Sequence, residues 1–320
     1  MTTRAITFGA FVPQGWKMEL AGIEGADAKW AKAVEVAVQA EALGYDSIWV
    51  YDHVHNVPVP AREAVFECWT TLAALSQRTT RVRLGQMVGC ASYRNPALLA
   101  KIAANIDVIS GGRLDWGVGA GWYQQEYEAY GYPFPPARDR IAMLAETVEI
   151  VRSLWTEPDT TFAGRHFTVR DAQGDPKPLQ SPHPPILVGG GGEQLTLRVV
   201  ARLADRSNFG GNPEEFAHKC DVLRRHCDAV GRDYDEIEKT WSPEIYVRET
   251  EPELTLRTST FGEPFESWQA GNLVGTPEQV IDKIGRYREM GVTAFLPWCR
   301  DYPSTDTLTL VAEQVIPSVR

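Results

Sequence analysis

No apolar run in this 320-residue chain approaches the ~20 residues needed to cross a bilayer. No basic run appears either, and a formal charge of −10 argues against nucleic acid or an anionic membrane surface as the main partner. The five cysteines (Cys68, Cys90, Cys220, Cys227 and Cys299) are odd in number and scattered, with no CxxC pair. They exclude a disulfide framework and suit a reducing cytoplasm. No HExxH, no Gly-Lys-Ser/Thr phosphate loop and no GxGxxG after the first strand-like run occurs. The segment Met1 to Ala5 leads straight into a strand-like run, so no signal peptide is expected. Gly and Pro together make 48 of 320 residues, or 15 %, well below the ~25–30 % of low-complexity chains, so a soluble globular protein is expected.

What is present is an alternation. Short β-forming runs fall at Ile6–Val12, Ser47–Tyr51, Val82–Val88, Leu114–Val118, Ile186–Gly189, Ser207–Phe209, Thr240–Val247 and Ala294–Trp298. Amphipathic stretches fall near 28–43, 64–77, 96–109, 139–155, 193–204, 213–230, 277–290 and 305–315. Eight βα units predict a parallel sheet closed into a (β/α)8 TIM barrel. Asn95-Pro96, Asn212-Pro213 and Thr276-Pro277 place a capping side chain before Pro at helix starts, and Gly44, Gly111, Gly231 and Gly291 mark helix ends. Two stretches break the rhythm: a hairpin-like segment at 157–185 and an irregular one at 248–274. They are expected to be functional insertions after strands 4 and 7 of a single domain spanning 1–320.

In such a barrel the active site lies at the C-terminal ends of the strands. Asp52-His53-Val54-His55 follows the second run, and a His there can bond a heteroaromatic ring or move a proton near neutral pH. Asp52 has two readings, orienting that imidazole or capping a turn. Gly189, Gly190, Gly191 and Gly192, leading into a helix near Glu193, form a phosphate-cradle pattern beside Gly210 and Gly211. Gly119, Ala120 and Gly121 add a second glycine-rich strand end, so a floor clear of side chains is expected under a flat cofactor with a phosphate tail. Trp16, Tyr93, Trp122, Tyr123 and Trp298 cluster at strand exits and suit a pocket for an apolar ring. Cys90 is balanced between touching the cofactor and inert packing. Arg138 and Arg140 open the fourth helix as a solvated start or as partners for an anionic tail. His53-x-His55 is also a metal-ligand spacing, the signature of a rival metal-dependent hydrolase, but no later strand end offers matching ligands, so no metal is expected.

Together these residues resemble the luciferase-like monooxygenase superfamily, in its branch that uses the deazaflavin coenzyme F420. The resemblance is carried by Phe8-Gly9-Ala10-Phe11-Val12-Pro13-Gln14, Gly44–His53, Arg94–Lys101, Ser110–Leu114, Gly117–Trp122, Pro184–Gly192 and Gly275–Val280. It implies hydride transfer between the deazaflavin C5 and a small substrate, in a cytoplasmic homodimer. It places His53 beside the reactive ring with Asp52 as neighbour. Met87, Val88, Gly89 and Cys90 would back the ring, often through a non-prolyl cis peptide, and Gly119–Trp122 with Gly189–Gly192 would hold the phosphate tail. Sugar-phosphate dehydrogenases of this family carry Glu directly after the fourth-strand Gly-x-Gly; here that residue is Trp122, which suits an apolar or aromatic substrate, with Glu126 the nearest candidate catalytic carboxylate. The rival within the fold is an FMN-dependent monooxygenase fed by a separate reductase. A non-catalytic flavin-binding protein is the remaining alternative.

Overall fold

The computed structural model describes residues 5–320. Met1 to Arg4, which enter the expectation of no signal peptide, lie outside them. Eight parallel strands form a closed ring: β1 (Thr7–Phe11), β2 (Ser47–Val50), β3 (Arg83–Gln86), β4 (Leu114–Gly119), β5 (Ile186–Gly189), β6 (Arg206–Asn208), β7 (Glu238–Trp241) and β8 (Val292–Phe295). Closure is made where β1 meets β8, Phe8 opposite Phe295, and where β3 meets β4, Leu84 opposite Leu114. The helices outside are α1 (Ala26–Ala42), α2 (Cys68–Ser76), α3 (Pro96–Ser110), α4 (Ala137–Thr156), α5 (Thr196–Leu203), α6 (Pro213–Val230), α7 (Pro277–Glu289) and α8 (Asp306–Leu310).

The caps explain the boundaries. Asn95 accepts hydrogen bonds from the Ala97 and Leu98 amides, and Asn212 and Glu215 form a reciprocal capping box. Gly111 and Gly231 end α3 and α6 at φ 72° and 70°, a left-handed turn that suits glycine. Inside the barrel the fully buried Trp49 occupies the room left by Gly9 and Gly85 on the flanking strands. A Cβ at Gly9 would lie 2.5 Å from the Trp49 Nε1. Alternating large and small residues in this way fills a barrel interior without strain.

Three expected elements divide. The run Thr240–Val247 is two strands, because Ser242-Pro243 interrupts it: β7 stays in the barrel and Glu244–Val247 joins Leu273–Gly275 and Trp298–Cys299 in a small parallel sheet. The last run breaks likewise, between Phe295 and Trp298. The third is cut by a cis Met87–Val88 peptide, beyond which Gly89 and Cys90 pair with β4. The hairpin Asp159–Ala163 with Thr168–Gln173 lies between α4 and β5. It therefore sits on the α-to-β side, opposite the strand exits. The 248–274 segment follows β7 on the exit side. No described helix is long and apolar enough to cross a membrane.

Candidate active site

The loop after β1 is built around one carboxylate. Glu19 accepts hydrogen bonds from the amides of Gln14, Gly15 and Lys17, each at 2.8 Å, which fixes Trp16 and Lys17 at the barrel mouth. Gln14 ties that loop to β2 by exchanging two hydrogen bonds with the Tyr51 backbone, at 2.9 and 2.8 Å. Trp16 then stacks face to face on His53, with ring centroids 4.2 Å apart and planes 1° from parallel.

His53 is held from its other side. Its Nδ1 lies 2.7 Å from Glu126 Oε2, which also accepts from the Tyr93 hydroxyl at 2.9 Å. Glu126 Oε1 accepts from the amides of Val54 and His55 at 2.8 and 2.9 Å. Burial raises the Glu126 pKa, but the His53 hydrogen bond and charge and the two amides outweigh it, so the group lies below the ordinary carboxylate value. A carboxylate can only accept, so Nδ1 carries the proton and Nε2 is the nitrogen open to proton exchange.

Of its two expected readings, Asp52 does not take the first, orienting the imidazole. Its Oδ2 accepts from the Cys90 amide at 2.8 Å and from Arg94 at 2.6 Å, and Arg94 continues to Glu67 at 2.8 Å. It anchors the chain just after the cis peptide. The residue that orients His53 is Glu126, on the short helix Gln124–Ala129. Cys90 lies 3.0 Å from the Tyr127 hydroxyl, and burial pushes its thiol up to about 12, so it is a neutral wall group.

A cavity of about 460 Å³ opens at these exits. It is bordered by Trp16, Asp52, His53, Met87, Val88, Gly89, Cys90, Tyr93, Gly119, Ala120, Gly121, Trp122, Gly189 and Gly190, all expected. Trp122 is a rim residue, 57 % exposed. Five of the expected site residues lie outside this cavity. Gly191 and Gly192 do not border the cavity; a Cβ there would lie 3.0 Å from Lys219 Nζ and 2.8 Å from Thr196 Oγ1. Gly210 and Gly211 border a separate depression with Asn212 and Trp241. Trp298 is buried beneath Lys17, whose Nζ sits 4.2 Å from its ring centroid.

Val88 also packs against the glycine floor. A Cβ at Gly119 would lie 2.6 Å from Val88 Cγ2, and one at Gly189 would lie 2.8 Å from Val88 Cγ1. Those glycines make room for Val88, which borders the cavity. Gly190, at φ 125°, remains as bare backbone beside the uncapped start of α5 at Thr196, three residues beyond the expected start.

Sequence reading missed Lys17, Tyr51, Ile141, Thr196, Asn208 and Ser242 as lining residues. Asn208 is the last residue of β6 and Ser242 directly follows β7, and the two bond each other at 3.0 Å, so reading the residues at every strand exit would have found them. Arg140, expected as a solvated start or an anion partner, is buried. It donates to Gly121 O at 3.2 Å and stacks 4.0 Å from the Phe134 ring, while Arg138 is exposed. Among the described residues no group of three or more His, Cys, Asp or Glu is placed to hold a metal, so His53-x-His55 lacks a third ligand there.

Comparison with known proteins fits this geometry. The luciferase-like monooxygenase profile matches residues 6–265. The chain belongs to the luciferase-like monooxygenase family. Among similar proteins, this family member is 31 % identical over 293 residues to the F420-dependent glucose-6-phosphate dehydrogenase of Segniliparus rotundus, covering 81 % of this chain and 85 % of that one. An uncharacterised protein of Mycobacterium tuberculosis is 28 % identical over 288 residues, covering 85 % and 88 %. The fold is shared with an F420-dependent secondary alcohol dehydrogenase solved with an F420–acetone adduct, at TM-score 0.82 and 21 % identity over 99 % and 100 % of the chains. It is also shared with the oxygenating component of 3,6-diketocamphane monooxygenase from Pseudomonas putida, solved with FMN, at TM-score 0.76 and 18 % identity over 99 % of each.

Proposed function

We propose that this luciferase-like protein is a coenzyme F420-dependent oxidoreductase acting on a small organic substrate. The observation that carries this reading is His53, clamped between the Trp16 ring and the buried Glu126 carboxylate on the wall of the barrel-mouth cavity. The residues present fit a flat ring with an anionic tail. Val88 and Met87 offer an apolar back wall, while Gly190, Thr196 and the buried Arg140 offer backbone and charge for a phosphate. When bound, a deazaflavin would supply a carbon that gives or takes hydride.

This chain's own part is positional and protonic. Trp16 and Glu126 hold the imidazole rigid, Glu126 keeps the proton on Nδ1, and His53 Nε2 gives a proton to the substrate oxygen or takes one from it. Trp122 and Tyr123 form an aromatic rim that excludes water from an apolar substrate.

The alternative is an FMN-dependent monooxygenase, favoured by the likeness to the FMN-bound camphane enzyme. Titration with each cofactor separates them. Micromolar affinity for coenzyme F420 with weaker FMN binding is expected, and the reverse order overturns the proposal. His53→Ala is expected to lower turnover on the order of 10²-fold with cofactor affinity unchanged. Unaltered turnover would remove the proton-transfer role.

A further inference from the structure

The exits of β6 and β7 carry a side-chain network whose polarity is fixed by its chemistry. Trp241 points outward from β7, stacked on Tyr287 of α7 with ring centroids 3.5 Å apart. Side chains alternate along a strand, so Thr240 and Ser242 point inward. Asn208 lies opposite Thr240 in the register and bonds both of them. Its Nδ2 donates to Thr240 Oγ1 at 2.9 Å, and its Oδ1 accepts from Ser242 Oγ at 3.0 Å. Asn208 and Ser242 border the main cavity, on the far side of the ring of strands from His53.

The Thr240 hydroxyl has one proton and gives it to Ser207 O at 2.9 Å. It can therefore only accept from Asn208, which fixes the amide NH2 toward Thr240 and the amide oxygen toward Ser242. That oxygen in turn takes the Ser242 proton. Two capacities are left over. Asn208 Nδ2 keeps a second N–H, and Ser242 Oγ keeps lone pairs but no free proton; neither has a further partner among the described residues. The pair thus shows the cavity a donor on one side chain and an acceptor on its neighbour. A carboxylate meets the Ser242 lone pair unfavourably, and a hydrocarbon leaves both capacities unmet. A lone hydroxyl has to meet both from one atom. A carbonyl and an N–H sharing one edge meet each with an atom of their own.

We propose that the Asn208–Ser242 pair recognises a neutral amide edge of the substrate, as in a primary amide, a lactam or an imide. The carbonyl lies on Asn208 Nδ2 and the N–H on Ser242 Oγ, and the substrate spans the cavity from this edge to His53. Its span to His53, and its being substrate rather than cofactor, rest on the redox reading above; the amide site does not. Thr240 is a positioning residue, since it does not border the cavity and decides which way the Asn208 amide faces.

The test titrates the intact, cofactor-free protein calorimetrically with 2-quinolone, with coumarin, whose ring oxygen replaces the N–H, and with 2-naphthol. 2-Quinolone is expected to bind roughly tenfold or more tightly than either. Ser242→Ala should bring 2-quinolone down to the affinity of coumarin. Thr240→Val should weaken the preference as well, because it frees the Asn208 amide to turn over. Circular dichroism checks that each variant folds, either folded variant carries that arm, and the wild-type comparison stands if neither folds. Equal binding of the three probes, binding of none, tighter binding of 2-naphthol, or a preference untouched in the folded variants overturns the proposal. The titration is then repeated in the presence of saturating coenzyme F420 and of FMN. Retained 2-quinolone binding assigns the edge to the substrate, whereas competition assigns it to the ring of the cofactor and overturns the substrate assignment. A 2-quinolone preference without binding of either cofactor keeps the amide site and sinks the redox reading. Cofactor binding without the preference does the opposite.

Discussion

At the scale of single residues, the site turns on which carboxylate reaches His53. Asp52 is adjacent in sequence, yet its oxygens are spent on the Cys90 amide and Arg94. Glu126, 73 positions away, makes the contact. Sequence proximity points to the wrong partner because neighbouring residues at a strand exit face different directions. Glu126→Gln should lower turnover roughly tenfold or more with the substrate KM little changed, since it acts through His53 rather than on substrate. Its stability effect has a defined pH dependence. The folded Glu126 pKa lies below the ordinary 4.5, so its stabilising contribution is present above that value and is lost as pH falls through the lower folded value. The stability gap between wild type and Glu126→Gln, from urea unfolding, should therefore be full above about pH 6 and shrink below about pH 4.5. A gap that does not change with pH would remove the charged-acceptor assignment.

Among the elements, the decisive packing is between the segment after β3 and the ends of β4 and β5. Val88 occupies the volume that Gly119 and Gly189 leave empty. Gly119→Ala overpacks that contact and should cost about 1–3 kcal/mol, read from denaturant unfolding. Val88→Ala in the same chain should recover part of the loss, whereas strictly additive losses would show that the strand end tightens for another reason. The eight strands and eight helices were legible because hydrophobic alternation and Asn-Pro caps are local signals. The interruption at Ser242-Pro243 carried its own warning in the proline. The short helices Gln124–Ala129 and Phe265–Gly271 did not stand out, because a helix of one or two turns has too few residues to show a period.

Over the whole molecule, a single closed barrel buries one large core, so unfolding should be cooperative. Thermal transitions followed by far-ultraviolet and near-ultraviolet circular dichroism should coincide; two separated transitions would divide the chain into independent units. The two inserted segments differ in what they can affect. The hairpin at 159–173 hangs on the α-to-β side, while 248–274 follows β7 on the exit side. Local signals in the chain were enough to set the eightfold βα alternation, the helix limits and the rim at which aromatics and glycines gather, because each depends on residues a few positions apart. Contacts between distant positions required the closed barrel: Glu126 on His53, Asp52 on Cys90, Val88 over the glycines, and Asn208 on Ser242. Only closure sets the strand exits side by side, and with them the hydrogen bonds that assign each of those groups its task.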